Sequence, residues 1–233
     1  MIKAKKIFIT GTDTDVGKTL LTTCLITLLQ NKKKSVVALK PIAAGCEIVN
    51  GELKNLDALL IQTVMDKEME YHKVNPILLE KPMAPHLAAR LENKKLSVKQ
   101  LQQSCDMQQY SSDYLLIEGA GGWLVPLNEK ESYADFVIAE QCDVILVVGI
   151  KLGCINHALL SLKNIQSSGL NVIGWVANCI EPNMLAIKEN IETLTELINV
   201  PRIAKIPFIK EEGDFFNLTQ AAIEYVNITP ILR

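Results

Sequence analysis

The chain has 233 residues, enough for one large α/β domain with a substantial core, and we expect a single domain over residues 1–233. Hydrophobic residues make up 48% and charged residues 21%, which is ordinary for a globular protein. The formal net charge of −2 gives no electrostatic reason to expect a nucleic acid or an acidic membrane as partner.

The six cysteines contain no C-x-x-C pair and the three histidines are scattered along the chain. We therefore expect neither a zinc site nor a disulfide framework, and a reducing cytoplasm is the expected location. The longest apolar stretch, residues 144–150, is far too short to span a membrane and is typical of a buried strand.

Apolar runs without alternation are typical of strands buried on both faces of a parallel sheet. In chain order they predict strands at residues 6–10, 35–40, 114–119, 144–150, 171–178 and 202–207. Between them, helical patterns predict helices at residues 18–31, 55–66, 84–93, 97–108, 132–141, 154–168 and 183–199. Strand alternating with helix predicts a doubly wound, mostly parallel α/β sheet, and such sheets bind ligands at the carboxyl ends of their strands.

The first turn of this fold carries GTDTDVGKT, residues 11–19, which is close to the phosphate-binding loop G-x-x-x-x-G-K-[ST] but one residue longer. A strand precedes it and a helix follows it, so a P-loop NTPase-like fold is expected. Backbone N–H groups at the helix start would hold the phosphates of a nucleoside triphosphate. Lys18 would reach the β and γ groups, and Thr19 would bind Mg²⁺.

The loop also carries two carboxylates, Asp13 and Asp15. In switch ATPases of the partitioning type, a signature lysine stands five residues before the P-loop lysine. Here that position is Asp13, so the charge is inverted. This favours a cation beside the nucleotide, either Mg²⁺ or an amine substrate. The other interpretation is that both aspartates only make turn bonds to the loop backbone.

Further charged residues follow the predicted strands. Lys40 closes the second strand, Asp57 lies further along the same crossover, and Glu118 ends the third strand. Thr19, Asp57 and Glu118 together form an oxygen set suited to a hard cation. The glycines in GAGG, residues 119–122, allow the backbone to approach a ligand closely.

The stretch KLGCINHALL, residues 151–160, runs from a strand end into a helix, and its free N–H groups at residues 153–156 predict a second anion site suited to a carboxylate. A nucleotide, Mg²⁺, two lysines and a separate anion site together indicate carboxyl activation. ATP would phosphorylate a carboxylate or carbamate, which an amine would then attack.

The chain resembles the dethiobiotin synthetase family along nearly its whole length. The matching stretches are ITGTDTDVGKT, LKPIAAG, NLDAL, VNP, LIEGAGGW, VILVVGIKLGCINHA and GWVAN. The resemblance implies a homodimer with a shared active site that converts 7,8-diaminononanoate, CO₂ and ATP into dethiobiotin, ADP and phosphate, with Mg²⁺. It also implies that the acidic loop faces a diamine.

The resemblance further implies a role for each site residue. Lys40 and Lys18 would be catalytic, Thr19, Asp57 and Glu118 would hold Mg²⁺, and Thr14 and Lys40 would contact the substrate amines and carbamate. The substrate carboxylate would be received, from the neighbouring subunit, by Gly153, Cys154, Ile155 and Asn156. The nucleotide would contact Thr14, Asp15, Val16, Gly17, Lys18, Thr19, Asp57, Glu118, Gly119, Ala120, Gly121, Asn178, Pro207, Phe208 and Ile209.

The chain departs from the family pattern at three places. Ala44 stands where a hydroxyl residue is usual, Cys179 stands where an aspartate is common, and residues 207–220 match poorly. The last difference predicts loose selectivity for ATP over other nucleoside triphosphates.

Two other functions are compatible with the fold. One is an amide-forming ligase of the cobyrinate or CTP synthetase type, although most of these carry a glutaminase domain for which this chain has no room. The other is a partitioning-type switch ATPase that acts through partner binding, and Asp13 in place of the signature lysine argues against it.

Overall fold

The computed structural model describes residues 4–210 and 214–232. Its strands are β1 (Lys5–Gly11), β2 (Val36–Leu39), β3 (Ile42–Ala44), β4 (Glu47–Val49), β5 (Glu52–Lys54), β6 (Ile77–Leu79), β7 (Tyr114–Glu118), β8 (Asp143–Ile150), β9 (Val172–Cys179) and β10 (Arg202–Ile206). Its helices are α1 (Lys18–Asn31), α2 (Leu56–Val64), α3 (Tyr71–Val74), α4 (Pro85–Leu91), α5 (Val98–Cys105), α6 (Tyr133–Glu140), α7 (Cys154–Ser167), α8 (Ile187–Leu197) and α9 (Phe215–Ile223).

Six strands form the central sheet in the order β10-β9-β8-β1-β7-β2, and every pair in it is parallel. From β1 the chain builds outward to β2 and back to β7, and it then crosses to β8 on the other side of β1. The strand order therefore reverses at β1. Ligands of doubly wound sheets bind at this switch point, beyond the carboxyl ends of the strands.

The two faces of the sheet are covered by different helices. Alternate residues of each strand point to opposite faces, so Phe8 joins one core cluster while Ile7 and Ile9 join the other. The Phe8 cluster includes buried residues of α4 to α8. The Ile7 cluster includes residues of α1, α2 and α9. This arrangement confirms the predicted doubly wound α/β fold.

All six predicted strands form the central sheet, and the seven predicted helices are present with shorter ends in most cases. The helix predicted over residues 97–108 ends at Cys105 because Asp106 turns out of the helical region, with φ 27°. The helix predicted over residues 183–199 begins only at Ile187, after Ala186 in the left-handed region. No helix in the described ranges is long and apolar enough to cross a bilayer.

The prediction missed two small sheets and two helices. Strands β3 and β6 pair in parallel beside the central sheet, and β4 and β5 form an antiparallel hairpin. The hairpin turns at Asn50 and Gly51, both with positive φ. An Asn-Gly pair between short strands is a strong hairpin signal, so this element was readable from the sequence. The missed helices are α3 and α9.

Candidate active site

The phosphate loop joins the end of β1 to the start of α1, as predicted. Gly17 caps the helix with φ 93°, and a Cβ at this position would lie 2.2 Å from Nδ2 of Asn178, so the loop requires glycine here. The same Asn178 amide donates to the carbonyl of Val16 at 2.9 Å. The end of β9 therefore fixes the shape of the loop.

Lys18 folds back over the loop, where its ammonium group donates to the carbonyl of Asp13 at 2.8 Å. Burial, with the charge of nearby Lys40 adding to it, lowers the pKa of Lys18 to about 8. Two lysine ammonium groups close together in a buried pocket repel each other. An anion bound between them would relieve this repulsion, which suits a phosphate site.

Lys40 is buried between two carboxylates. Its ammonium nitrogen lies 2.6 Å from Oε1 of Glu118 and 3.0 Å from Oδ2 of Asp57, and it also donates to the carbonyl of Gly119 at 3.2 Å. Burial alone would lower the pKa of Lys40, but Glu118 and Asp57 outweigh burial and the pKa is raised. At Asp57 too the partner's charge outweighs burial: burial would raise the pKa of Asp57, but Lys40 lowers it overall.

Glu118 is fully buried and is held by two threonines of α1. Thr19 Oγ1 donates to its Oε1 at 2.9 Å, and Thr22 Oγ1 lies 2.8 Å from its Oε2. Thr22 was missed by sequence reasoning. Its position one helical turn after Lys18 was the available signal, because residues at i and i+4 share a helix face.

The predicted oxygen set of Thr19, Asp57 and Glu118 is therefore gathered at one place, and Lys40 shows that its carboxylates attract a cation. Within the described ranges, no group of three or more acidic, histidine or cysteine side chains could hold a metal by itself. One hydroxyl and two carboxylates are the donors that Mg²⁺ uses when nucleotide phosphates complete its shell. The residues present fit Mg²⁺ on that basis.

The cation opposite Asp13 is a residue that the sequence analysis had not singled out. Lys151, directly after β8, places its ammonium nitrogen 2.7 Å from Oδ2 of Asp13. The hydrogen bond from Lys151 lowers the pKa of Asp13, and the amide of Thr14 adds to this effect through Oδ1 at 2.8 Å. The bond from Thr14 is the local loop bond of the second interpretation. The cation that faces Asp13 is Lys151 of the same chain and is neither Mg²⁺ nor an amine substrate.

A cavity of about 1040 Å³ opens beside the phosphate loop and the Lys40 cluster. Its polar lining residues include Thr14, Asp15, Lys18, Thr19, Lys40, Asn55 and Asp57. Its apolar lining residues include Ala43, Ala44, Met83, Pro85, Leu124, Val125 and Pro126. Ala44, noted above as a departure, thus lines the cavity.

One end of the cavity, away from the Lys40 cluster, is formed by residues after β10. The predicted nucleotide residues Pro207, Phe208 and Ile209 line it, together with Phe215 and Leu218 of α9. These last two were not predicted because the helix itself was missed. Residues 211–213 of the poorly matching stretch lie outside the described residues.

Comparison with known proteins places the chain in a family. A family model described as an AAA domain matches residues 5–213. An ATP-dependent dethiobiotin synthetase of Cellvibrio japonicus is 41% identical over 228 residues, which cover 98% of each chain. The corresponding protein of Alteromonas mediterranea is 44% identical and covers 88% of this chain and 92% of its own length. The chain belongs to the dethiobiotin synthetase family. The family forms carbon–nitrogen bonds as ATP-dependent ligases.

Solved structures of lower identity share the fold. The septum site-determining protein MinD of Pyrococcus horikoshii, complexed with Mg-ADP, aligns with a TM-score of 0.58 at 16% identity and covers 96% of this chain and 87% of its own. A chain of the Aquifex aeolicus MinC:MinD cell division protein complex aligns with the same TM-score at 19% identity and covers 95% of this chain and 93% of its own. At this identity the likeness concerns the P-loop architecture alone.

The remaining nucleotide residues implied for the dethiobiotin synthetase family divide into two groups. Ala120 and Gly121 line the cavity, as does Asn178. Val16 and Gly119 do not line it. Val16 is fully buried, while Gly119 contributes its carbonyl to Lys40 and packs against Phe8.

The second anion site predicted at Gly153–Asn156 stands apart from this cavity. Gly153 caps α7 with φ 88°, and none of the four residues lines the cavity wall. Cys154 is buried, with its Sγ 4.0 Å from Oδ1 of Asn190, whereas Leu152, two residues earlier, is 90% exposed. Residues 153–156 therefore do not line the cavity beside the phosphate loop of their own chain, although Lys151 just before them pairs with Asp13 of that loop.

Proposed function

We propose that this protein is an ATP-dependent dethiobiotin synthetase that converts 7,8-diaminononanoate, CO₂ and ATP into dethiobiotin, ADP and phosphate. The observation that carries the proposal is the convergence of Thr19, Lys40, Asp57 and Glu118 at the mouth of the phosphate loop, in a chain of this family. A cavity lined by both charged and apolar side chains also suits a substrate that has amines on a hydrocarbon chain.

The charged side chains that line the cavity would position the reacting groups. The loop amides and Lys18 would bind the phosphates, and the buried Lys40 would contact the carbamate formed when one substrate amine takes up CO₂. Transfer of the γ-phosphoryl group to the carbamate gives a carbamic–phosphoric anhydride. The second amine then attacks its carbonyl carbon, phosphate leaves, and the ureido ring closes. The lysines would stabilise the negative charge that develops on the transferred group.

Thr19, Asp57 and Glu118 would hold Mg²⁺. When bound, Mg²⁺ would neutralise charge on the nucleotide phosphates. Lys40 would then exchange part of its contact with the two carboxylates for contact with substrate. Its ammonium nitrogen lies between the two carboxylates, 2.6 Å from Oε1 of Glu118 and 3.0 Å from Oδ2 of Asp57.

The nucleotide base would occupy the cavity end formed by Pro207, Phe208 and Ile209, with Asn178 at its edge. The side-chain amide of Asn178 already donates to the loop, which leaves its carbonyl oxygen for a base amino group. Apart from this one acceptor, Pro207, Phe208 and Ile209 are apolar and favour stacking over further hydrogen bonds to the base.

The substrate carboxylate would be bound by Gly153–Asn156 of a second copy of the chain, in a homodimer with shared sites. Two features support this. These residues lie outside the cavity of their own chain, and the neighbouring Leu152 is 90% exposed. A cytoplasmic location fits the six cysteines, none of which forms a disulfide and all of which lie within the described ranges.

The deciding experiment uses ¹³C-bicarbonate. The protein is incubated with 7,8-diaminononanoate, ATP and Mg²⁺, and the product is analysed by mass spectrometry. Dethiobiotin carrying one ¹³C atom, with one phosphate released per product, supports the proposal. ATP hydrolysis without dethiobiotin would contradict it.

A further inference from the structure

The VNP stretch, residues 74–76, is part of the resemblance but has no role in the reaction proposed above. Its asparagine, Asn75, is fully buried, and its Nδ2 donates to the backbone carbonyl of Lys40 at 2.5 Å. The backbone amide of Lys40 donates to the carbonyl of Val74 at 2.8 Å. Both backbone polar groups of Lys40 are therefore held by two consecutive residues.

Tyr71 extends this contact by one more residue. Its hydroxyl donates to Oδ1 of Asn75 at 3.0 Å and accepts the backbone N–H of Asn55 at 2.7 Å. The hydroxyl proton and a lone pair are thus both used, and the direction of every hydrogen bond is fixed. The ammonium of Lys54 lies 5.5 Å from the centre of the Tyr71 ring and helps to hold the ring in place.

Asn55 connects this chain of hydrogen bonds to the other side of the active site. Its side chain caps α2 by accepting the amide of Ala58 at 3.4 Å. Asp57 lies in the first turn of the same helix and is the residue that pairs with Lys40. These hydrogen bonds and the backbone at the start of α2 therefore form a closed ring, from Lys40 through Asn75, Tyr71 and Asn55 to Asp57 and back to Lys40.

We propose that Tyr71 and Asn75 are positioning residues that fix Lys40 and Asp57 relative to each other in the active site. The role rests on the proposed function, since Lys40 and Asp57 are its catalytic and metal-binding groups. The ring of contacts is needed because Lys40 follows an edge strand and Asp57 lies in the first turn of a separate helix. No shared element therefore sets the distance between them. Displacements of about 1 Å at reacting groups are enough to lower turnover strongly.

The test compares Tyr71→Phe with Tyr110→Phe. Tyr71→Phe removes one hydroxyl and keeps the aromatic side chain, so Asn55 and Asn75 each lose a hydrogen-bond partner. Tyr110 is the matched control. Its hydroxyl contacts α3, the helix of Tyr71, at the carbonyl of Lys73 at 3.4 Å, but it is not part of the ring of hydrogen bonds. Two quantities are measured: kcat for dethiobiotin formation, and the ratio of the ATP dissociation constants without and with Mg²⁺.

For Tyr71→Phe we expect both kcat and the ratio to fall about tenfold, the lower end of what losing an outer hydrogen-bond partner costs. The ATP dissociation constant without Mg²⁺ stays at the wild-type value, and Tyr110→Phe matches wild type throughout. A ratio measured on one preparation does not depend on how much of the protein is folded. A purely structural role would therefore leave it unchanged.

Asn75→Asp cuts a different bond of the ring, because it removes the donor to Lys40 and keeps the acceptor for Tyr71. The same losses are expected. The proposal is wrong if either folded variant keeps the wild-type kcat and ratio, or if both variants fail to fold, since the residues would then serve folding alone. Failure of the wild type to make dethiobiotin would overturn the proposed function. The ratio of ATP dissociation constants without and with Mg²⁺ would still test whether Tyr71 and Asn75 position Asp57.

Discussion

The ammonium nitrogen of Lys40 lies 2.6 Å from Oε1 of Glu118, and both side chains are buried. Breaking a buried ion pair by removing one partner typically costs about 3–5 kcal/mol, because the remaining charge keeps its desolvation penalty. Lys40 thus contributes to stability and is proposed to act in catalysis. The two contributions need separate measurements.

We predict that Lys40→Ala abolishes turnover while nucleotide binding persists, because Lys40 lies outside the phosphate loop. The variant should keep less than about a tenth of wild-type kcat, a barrier increase above about 1.4 kcal/mol. Steady-state kinetics and ATP titration measure both effects at a temperature where the variant is folded. Lys188→Ala is the control, since Lys188 pairs with Glu192 at 3.7 Å on α8 and does not line the cavity. A kcat above this limit would remove Lys40 from the catalytic role.

Thr22→Val should lower kcat by about tenfold, as expected when a group bonded to a metal ligand is lost. Thr22 supports Oε2 of Glu118, and valine has nearly the same shape without the hydroxyl. Thr23→Val is a closely matched control, because Thr23 is equally buried on the same helix but bonds Leu20 and Thr219 instead. Equal kinetics for the two variants would show that Thr22 does not orient Glu118.

Nucleotide selectivity should be loose, with similar affinities for ATP, GTP and CTP. The base end of the cavity presents mostly apolar side chains, and stacking tolerates any base. Calorimetric titrations with the three nucleotides measure the selectivity, and Phe208→Ala should weaken all three alike. A preference for ATP above about a hundredfold, or roughly 2.7 kcal/mol, would instead indicate a specific adenine pocket.

The shared site predicts that two inactive variants restore activity when mixed. Lys18→Met removes phosphate binding, and Asn156→Asp places a negative charge at the second anion site. Asn156 is exposed, whereas the neighbouring Cys154 is buried and would tolerate a charge poorly. A mixed dimer would hold one site with both defects and one site with neither.

The mixing experiment needs reversible dissociation, with exchange of subunits confirmed by native mass spectrometry. Recovered dethiobiotin formation supports a shared site. If both elements came from one chain, every site in the mixture would carry a defect. Exchange without recovered activity would therefore contradict the prediction.

The sequence predicted the central sheet well because its strands are buried on both faces and appear as continuous apolar runs. It also predicted that Lys40 and Glu118 lie at one edge of the sheet, since parallel strands bring their carboxyl ends together, and that Thr19, Asp57 and Glu118 form one oxygen set. The pairing of Lys40 with both carboxylates was not predicted. The pairing of Asp13 with Lys151 was not predictable in the same way. It depends on the adjacency of β1 and β8, which is a property of strand order rather than of local pattern.

The positioning role proposed for Asn75 and Tyr71 could also not be predicted from the sequence, because these residues act through backbone groups. Asn75 and Tyr71 lie in a crossover with weak periodicity, and their partners are the carbonyl of Lys40 and the amide of Asn55. Every residue has such groups, so no residue pattern points to the contact. The helix α9 was missed as well, and its residues 215–220 belong to the stretch that matches the family poorly.

Strand β2 has only four residues and a single neighbour, β7, because it forms one edge of the central sheet. An edge strand has hydrogen-bond partners on one side only, so its attachment depends on its buried side chains and on the contacts at its ends. Lys40 follows directly after β2 and is held there by Val74, Asn75 and Glu118, whereas Glu118 and the phosphate loop extend from interior strands. We therefore expect the loss of one of these contacts to loosen β2 and Lys40 before the rest of the sheet. Faster amide exchange of residues 36–40 than of the interior strands β1 and β8 in such a variant would show this local opening.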